Sequence, residues 1–252
     1  MPNVERIKTN IPGLDDLMQG GFPKGSNIVL TGSPGTGKTI FGMQFLYNGA
    51  ASGEKGLYVT FEQNKDDLIN QASQFGWNLN ELEKSKVLEI MSIPSDKITS
   101  KTIEQIKTKV TKDKFQRIVI DSLTTLAINA PILTNVSKVS IKQIMDESTI
   151  FSPPIIGDFI LKQFIYNFIN QLKALKVTSL LISDTAQSGD YATIDTVSEY
   201  AADGVIIINF ETLGGAYSRT LVVRKMRQTK NDEDIHPLQI GDQGIIVHTI
   251  GK

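Results

Sequence analysis

Short apolar runs alternate with longer helical stretches along most of this chain. The strand-like runs lie at Asn27–Thr31, Leu57–Phe61, Lys86–Met91, Arg117–Asp121 and Val177–Ser183. The clearest, RIVID at Arg117–Asp121, is a β-branched run bounded by charge, as a strand buried on both faces should be. Between the runs, the sequence reads as helix from Lys38-Thr39 to about Ala51, over Asp66–Phe75, over a polar Thr99–Thr111, and over the apolar-striped Phe159–Leu175. Strands and helices in turn predict an α/β fold whose mainly parallel sheet is covered on both faces. A short helix at Leu14–Met18 and the turn-rich string Gly20–Ser26 lead into the first strand. Further runs at Val205–Phe210, Thr220–Val223 and Gly244–Thr249 make the C-terminal third β-rich.

The middle breaks the rhythm. Pro131–Gly157 holds three prolines and one helix-compatible piece, Ser140–Glu147. It is too short to build a core of its own, so it reads as an insertion within a single domain spanning 1–252. No repeat, low-complexity tract or linker divides the chain.

Composition adds mainly exclusions. The 252 residues are 40% hydrophobic and 21% charged, ordinary for a globular chain of this size. A net charge of −1 gives no overall pull toward nucleic acid or an anionic membrane. Without cysteine there is no disulfide framework, thiol nucleophile or cysteine-based zinc site. The opening MPNVERIKTNIPG has no apolar core of the signal-peptide kind, and no run is long enough to span a bilayer. A cytoplasmic protein with no membrane partner is expected.

The chemistry concentrates where the first strand turns into the first helix. GSPGTGKT, Gly32 to Thr39, fits the phosphate-loop spacing G-x-x-x-x-G-K-[ST]. Polyphosphate demands several donors converging on one point. A glycine-rich loop offers unobstructed backbone N–H groups, and the helix behind it adds its positive end. The nucleotide-binding stretch is therefore Gly32, Ser33, Pro34, Gly35, Thr36, Gly37, Lys38, Thr39 and Ile40. Lys38 would reach the β/γ-phosphates of ATP and the Thr39 hydroxyl would bind Mg²⁺. Asp121 ends an apolar strand at the edge where α/β sheets hold ligands, and could support the metal opposite Thr39 or cap the next helix. Glu62 closes a neighbouring strand in the same way and could orient or deprotonate the attacking water.

With these residues in view, the chain resembles a single KaiC-type domain of the RecA/RadA superfamily of ATPases. The likeness runs through IPGLDDLMQGGFPKGS, GSPGTGKT, IFGMQFLYNGA, YVTFE, QFGWNL, IVIDS, EYAADGVIII, KMRQT and IGDQG. It implies a RecA-like P-loop NTPase fold with ATP and Mg²⁺ as cofactors. It also implies Glu62 as the catalytic carboxylate beside Lys38, and Asp121 as a support for magnesium. ATP is expected between subunits of a homo-oligomer, a hexameric ring by resemblance. The neighbour would contribute Lys225 and Arg227, with Thr229 and Asp242 as further contacts, an arginine-finger arrangement.

Several features depart from the family pattern. Gln63 stands where relatives often have a second glutamate, and Glu199-Tyr200 stand where clock members carry paired phosphoacceptors, so self-phosphorylation is not expected. Two function classes follow: a regulatory or signalling ATPase read by protein partners, or a RadA-paralogue-like accessory that binds single-stranded DNA. The loop Asp184–Thr196 carries Asp184, Asp190 and Asp195, no lysine or arginine, and Tyr191 as its only aromatic. The insertion sets Lys138 and Lys142 against Asp146, Glu147 and Asp158. Neither focuses the positive charge and stacking surface that a single strand requires, which favours the regulatory class, while Arg219, Arg6 and Lys8 could still contact nucleic-acid phosphates. Trp77 and Phe75 read as packing residues, and His236 and His248 are too isolated for a metal site.

Overall fold

The structure, a computed structural model, describes residues 4–133, 153–185, 193, 196–213 and 216–249. A two-stranded antiparallel ribbon, β1 (Arg6–Ile7) and β2 (Phe22–Pro23), precedes the sheet. The chain then continues through β3 (Asn27–Gly32), α1 (Lys38–Ala51), β4 (Gly56–Thr60), α2 (Lys65–Ser73), α3 (Leu79–Lys84) and β5 (Leu88–Ser92). Next come α4 (Thr102–Asp113), β6 (Arg117–Asp121), α5 (Leu123–Ile128), α6 (Ala130–Leu133), α7 (Pro153–Ala174) and β7 (Thr178–Asp184). A one-turn helix α8 (Ser198–Ala201) leads to β8 (Gly204–Leu213), β9 (Ala216–Met226), β10 (His236–Gly241) and β11 (Gly244–Val247).

One nine-stranded sheet runs β11-β10-β9-β8-β3-β7-β6-β4-β5. It is parallel from β8 to β5 and antiparallel from β8 outward through β11. The β-rich tail is thus an antiparallel extension on one flank of a parallel core. Successive side chains of the central strands enter opposite layers, as the two-residue strand period requires. Ile28 and Leu30 join the layer under α1, α2 and α3, while Val29 joins the layer under α4, α5 and α7. Tyr58 and Val119 divide from Leu57, Val59, Ile118 and Ile120 in the same way.

Several helices start at residues suited to the task. The side chains of Asn64, Asn78 and Ser122 accept the backbone N–H of Asp67, Glu81 and Thr125. The Asn78 cap starts α3, a helix not foreseen in the sequence. Strand β10 has no clear apolar pattern in the sequence because Pro237 interrupts it; the proline sits at the second residue, near the strand's start. The long helix begins at Pro153 rather than Phe159, since proline is tolerated in a first turn. Within 131–157, the ends thus belong to α6 and α7, while 134–152, including the helix expected over Ser140–Glu147, lies outside the described residues. Among the described residues no helix is long and apolar enough to cross a membrane.

One buried cation ties the lead-in, α1 and the sheet together. Arg117, at the start of β6, is 1% exposed. It pairs with Glu54, donates to the Phe45 and Lys8 carbonyls at 2.7 and 2.8 Å, and lies 4.6 Å from the Phe45 ring centroid. Gly49 makes room for it: a Cβ there would stand 2.5 Å from Arg117 Nε. Because the guanidinium is held by three partners, it cannot swing away cheaply. Gly49→Ala is expected to destabilise the protein by about 1–3 kcal/mol despite alanine's better helix propensity; urea denaturation checks this, and an unchanged midpoint would refute it.

Candidate active site

Four chains leave the sheet side by side. Pairing sets Gly32 opposite Asp184, Asp121 opposite Ile182, and Thr60 opposite Asp121. Strand β7 therefore stands between the phosphate-loop strand β3 and the Asp121 strand β6, and Glu62 follows on the far side of β6. This edge, at the carboxyl ends of parallel strands, is where α/β sheets bind ligands.

The loop wraps tightly at the start of α1. Gly37 caps the helix with φ 105°, in the region open mainly to glycine, and a Cβ there would come within 2.8 Å of Ile240 Cδ1. Lys38 Nζ donates to the Gly32 and Ser33 carbonyls at 2.6 and 3.2 Å and lies 3.4 Å from Asp184 Oδ1. The loop's cation is thereby held at its mouth, next to the acidic residue that ends β7.

Asp121 is 5% exposed. Its Oδ2 accepts hydrogen bonds from Thr39 Oγ1 at 3.0 Å and from Tyr58 OH at 2.6 Å. Burial is the main cause that raises the Asp121 pKa above the ordinary carboxylate value, partly opposed by the Tyr58 hydrogen bond. Burial likewise raises the Tyr58 phenol, with the Asp121 charge adding to it. Thr39 and Asp121 offer hard oxygen ligands 3.0 Å apart, a set that suits Mg²⁺ carried largely by substrate phosphates. Among the described residues no cluster of three or more His, Cys, Asp or Glu could cage an ion alone.

Glu62 is placed by hydroxyls. Thr60 Oγ1 accepts from the backbone N–H of Glu62 and Gln63 at 3.3 and 3.1 Å, bending the chain as β4 ends. Ser122 Oγ and Thr125 Oγ1 then both donate to Glu62 Oε1, at 2.6 and 2.9 Å. One carboxylate oxygen is fixed while the residue stays exposed, a geometry that lets the other face a water.

Arg219 also reaches this edge. Its guanidinium lies 4.9 Å from the Phe210 centroid and donates to the Gly35 carbonyl at 3.3 Å. Sequence reasoning assigned it no role in the phosphate site, nor one to Asp184, Tyr58, Ser122 or Thr125. Asp184 carried a usable signal, since TSLLISD ends an apolar strand in an acid just as RIVID does.

The residues expected to act on a neighbour lie elsewhere. Lys225 pairs with Val205 at the level of Val29, and the Arg227 N–H bonds Asp203 O, which sits beside Asn27. Lys225 Nζ donates to the carbonyls of Glu199, Tyr200 and Ala202 at 2.9, 3.3 and 2.8 Å, and burial lowers its pKa. Arg227 donates to the Tyr200 carbonyl at 3.3 Å and lies 3.5 Å from Asp203, which also binds Lys173 at 2.6 Å. Thr229 accepts from Arg6 at 3.0 Å. Arg227 thus stands at the opposite end of six-residue β3 from the loop, roughly 17 Å along the strand, and the Lys225 backbone stands about 10 Å from the loop. Asp242 does not join them. It occupies the exposed turn of the β10–β11 hairpin, which lies at the loop's own end with Ile240 against Gly37. The antiparallel register therefore separates Asp242 from Lys225 and Arg227 within one chain. Of the acidic loop Asp184–Thr196, positions 186–192, 194 and 195 lie outside the described residues.

Comparison with known proteins finds relatives along nearly the whole chain. A family model described as "ATPase: KaiC" fits residues 7–152 and 155–252. A UPF0273 protein of Thermotoga maritima is 30% identical over 97% of this chain and 96% of its own length. The circadian clock oscillator protein KaiC of Parasynechococcus marenigrum is 30% identical over 98% of this chain, which covers 46% of that protein. The crystal structure of a KaiC-like protein from Pyrococcus horikoshii superposes with a TM-score of 0.78 at 29% identity, covering 98% of this chain and all of that one.

The raised Asp121 pKa has a stability consequence with a definite sign. Between the ordinary carboxylate pKa, about 3.9, and the raised folded value, the native state holds a proton that the unfolded chain has lost. Stability from this group is therefore lost as pH rises through that window. In nucleotide-free protein, the Tm of Asp121→Asn should gain on wild type as pH is raised from about 4 toward neutrality; melting curves that stay parallel would refute the assignment.

Proposed function

The chain belongs to the KaiC family of ATPases, and from that premise we propose that it is a Mg²⁺-dependent, ring-forming regulatory ATPase whose active sites are shared between neighbouring subunits. The observation that carries the reading is the convergence of the Lys38 loop, the Thr39–Asp121 pair and the hydroxyl-held Glu62 on one sheet edge. In this reading Lys38 binds the β/γ-phosphates, exchanging loop carbonyls for phosphate oxygens. Thr39 and Asp121 hold Mg²⁺, which when bound neutralises charge on the phosphates. Glu62, fixed through Oε1, orients the attacking water and takes its proton.

The placement of Lys225 and Arg227 supports sharing. Neither can span the sheet to its own phosphate loop, yet both present cations at the far end, where a head-to-tail neighbour's nucleotide would arrive. Lys24, Lys173, Lys176 and Lys230 line the adjoining cleft, so that end is basic, whereas Glu62, Asp184 and Asp242 mark the loop's end. This opposition of charge suits heterologous assembly. The regulatory role rests on family membership and on the sparse positive charge of the segments weighed for DNA binding.

Two measurements test the reading. Glu62→Gln should bind ATP as wild type does while hydrolysis falls by about 10²–10⁴-fold, since the shape remains and the base is removed; hydrolysis at the parent rate would rule Glu62 out. Lys38→Ala and Arg227→Ala should each be inactive, the second by roughly a thousandfold or more. Mixed under conditions of proven subunit exchange, they should partly restore each other. Absence of recovery would remove the shared-site model.

A further inference from the structure

Tyr58 belongs to the apolar layer under α1, where a phenylalanine would pack as well. Its ring lies against Gly42 of α1: a Cβ there would stand 3.4 Å from Tyr58 Cε2, in ordinary contact, and only 3.0 Å from Val119 Cγ1. The ring is 2% exposed, and its hydroxyl ends on Asp121 Oδ2 at 2.6 Å, the same oxygen that accepts from Thr39 at 3.0 Å. A buried carboxylate needs such donors, and water has little access to replace one at a residue 5% exposed.

We propose that Tyr58 is a positioning residue for the metal half of the site: by engaging Oδ2 from inside the core, its hydroxyl fixes the orientation of the Asp121 carboxylate that would support Mg²⁺. The inference rests on the proposal that Thr39 and Asp121 hold that ion. A partner that orients a ligand without touching the metal commonly governs affinity by 10–100-fold. Thr39 alone leaves the carboxylate one anchor, about which it can rotate.

The test measures binding and does not depend on turnover. Wild type, Tyr58→Phe and Asp121→Asn are each titrated with Mg²⁺ at a fixed concentration of a fluorescent ATP analogue, and affinity is measured separately in EDTA. Tyr58→Phe should raise the Mg²⁺ half-saturation by about 10–100-fold and leave the EDTA affinity unchanged. Tyr58→Met, whose flexible side chain refills the space without a hydroxyl, should do the same and serves if the Phe variant is insoluble. A Mg²⁺ curve for Tyr58→Phe that overlays wild type while Asp121→Asn is displaced would overturn the inference alone. Equal loss of affinity with and without Mg²⁺ would reduce Tyr58 to a packing residue. If neither variant moves the Mg²⁺ curve, the Asp121 metal assignment fails and the role of Tyr58 fails with it.

Discussion

Parallel pairing of β3, β7, β6 and β4 fixes the level at which these strands release the chain, and the candidate site depends on that alignment. Backbone hydrogen bonds place Gly32, Asp184, Asp121 and Thr60 within a residue or two of one another along the sheet edge. A one-residue slip of any strand would turn its side chains to the opposite layer, moving Tyr58 away from α1 or Val29 into the wrong core. Burial on both faces forbids the slip. The same packing that gives the sheet its stability therefore sets the distances at which Lys38, Thr39, Asp121 and Glu62 meet.

Concentrating carboxylates at this edge has an electrostatic cost, and the surrounding side chains offset it by hydrogen bonding and, at Asp184, by an ion pair. Asp121 is satisfied by a threonine and a tyrosine, Glu62 by a serine and a threonine, and Asp184 by the loop lysine. Hydroxyls suit the purpose because they donate without adding charge, leaving Lys38 as the cation inside the loop. The raised pKa of Asp121 shows that the compensation is incomplete. A bound cation at this carboxylate would complete it, which links metal binding to the stability of the folded edge.

The far end of the sheet obeys a different logic. Asp203, 7% exposed, gathers Lys173 from the last turn of α7 and Arg227 from just past the end of β9, and accepts the Asn27 N–H at 3.1 Å. Lys225 is held by backbone carbonyls around α8. Under the shared-site proposal, these contacts hold the donated cations before a neighbour is present, reducing the ordering cost of assembly. They also connect that face to α7, the helix that follows the insertion.

Much of the site could be read from the order of residues because its parts are local. GSPGTGKT contains its own turn, donors and cation, while the strands ending at Asp121 and Glu62 announce the active edge by an apolar run that stops in an acid. The alternation of strand and helix likewise carried the parallel sheet and both of its layers. What remained hidden depended on strand order, which no local pattern encodes. Only folding inserts β7 between β3 and β6 and so brings Asp184 to Lys38. Only folding carries the Tyr58 hydroxyl beneath Gly42 to Asp121, and only the antiparallel register separates Asp242 from Lys225 and Arg227 by the length of the sheet. Residue types and spacing determined the chemistry available; pairing across the sheet decided which groups share it, because contacts between distant strands are set by packing of the whole core.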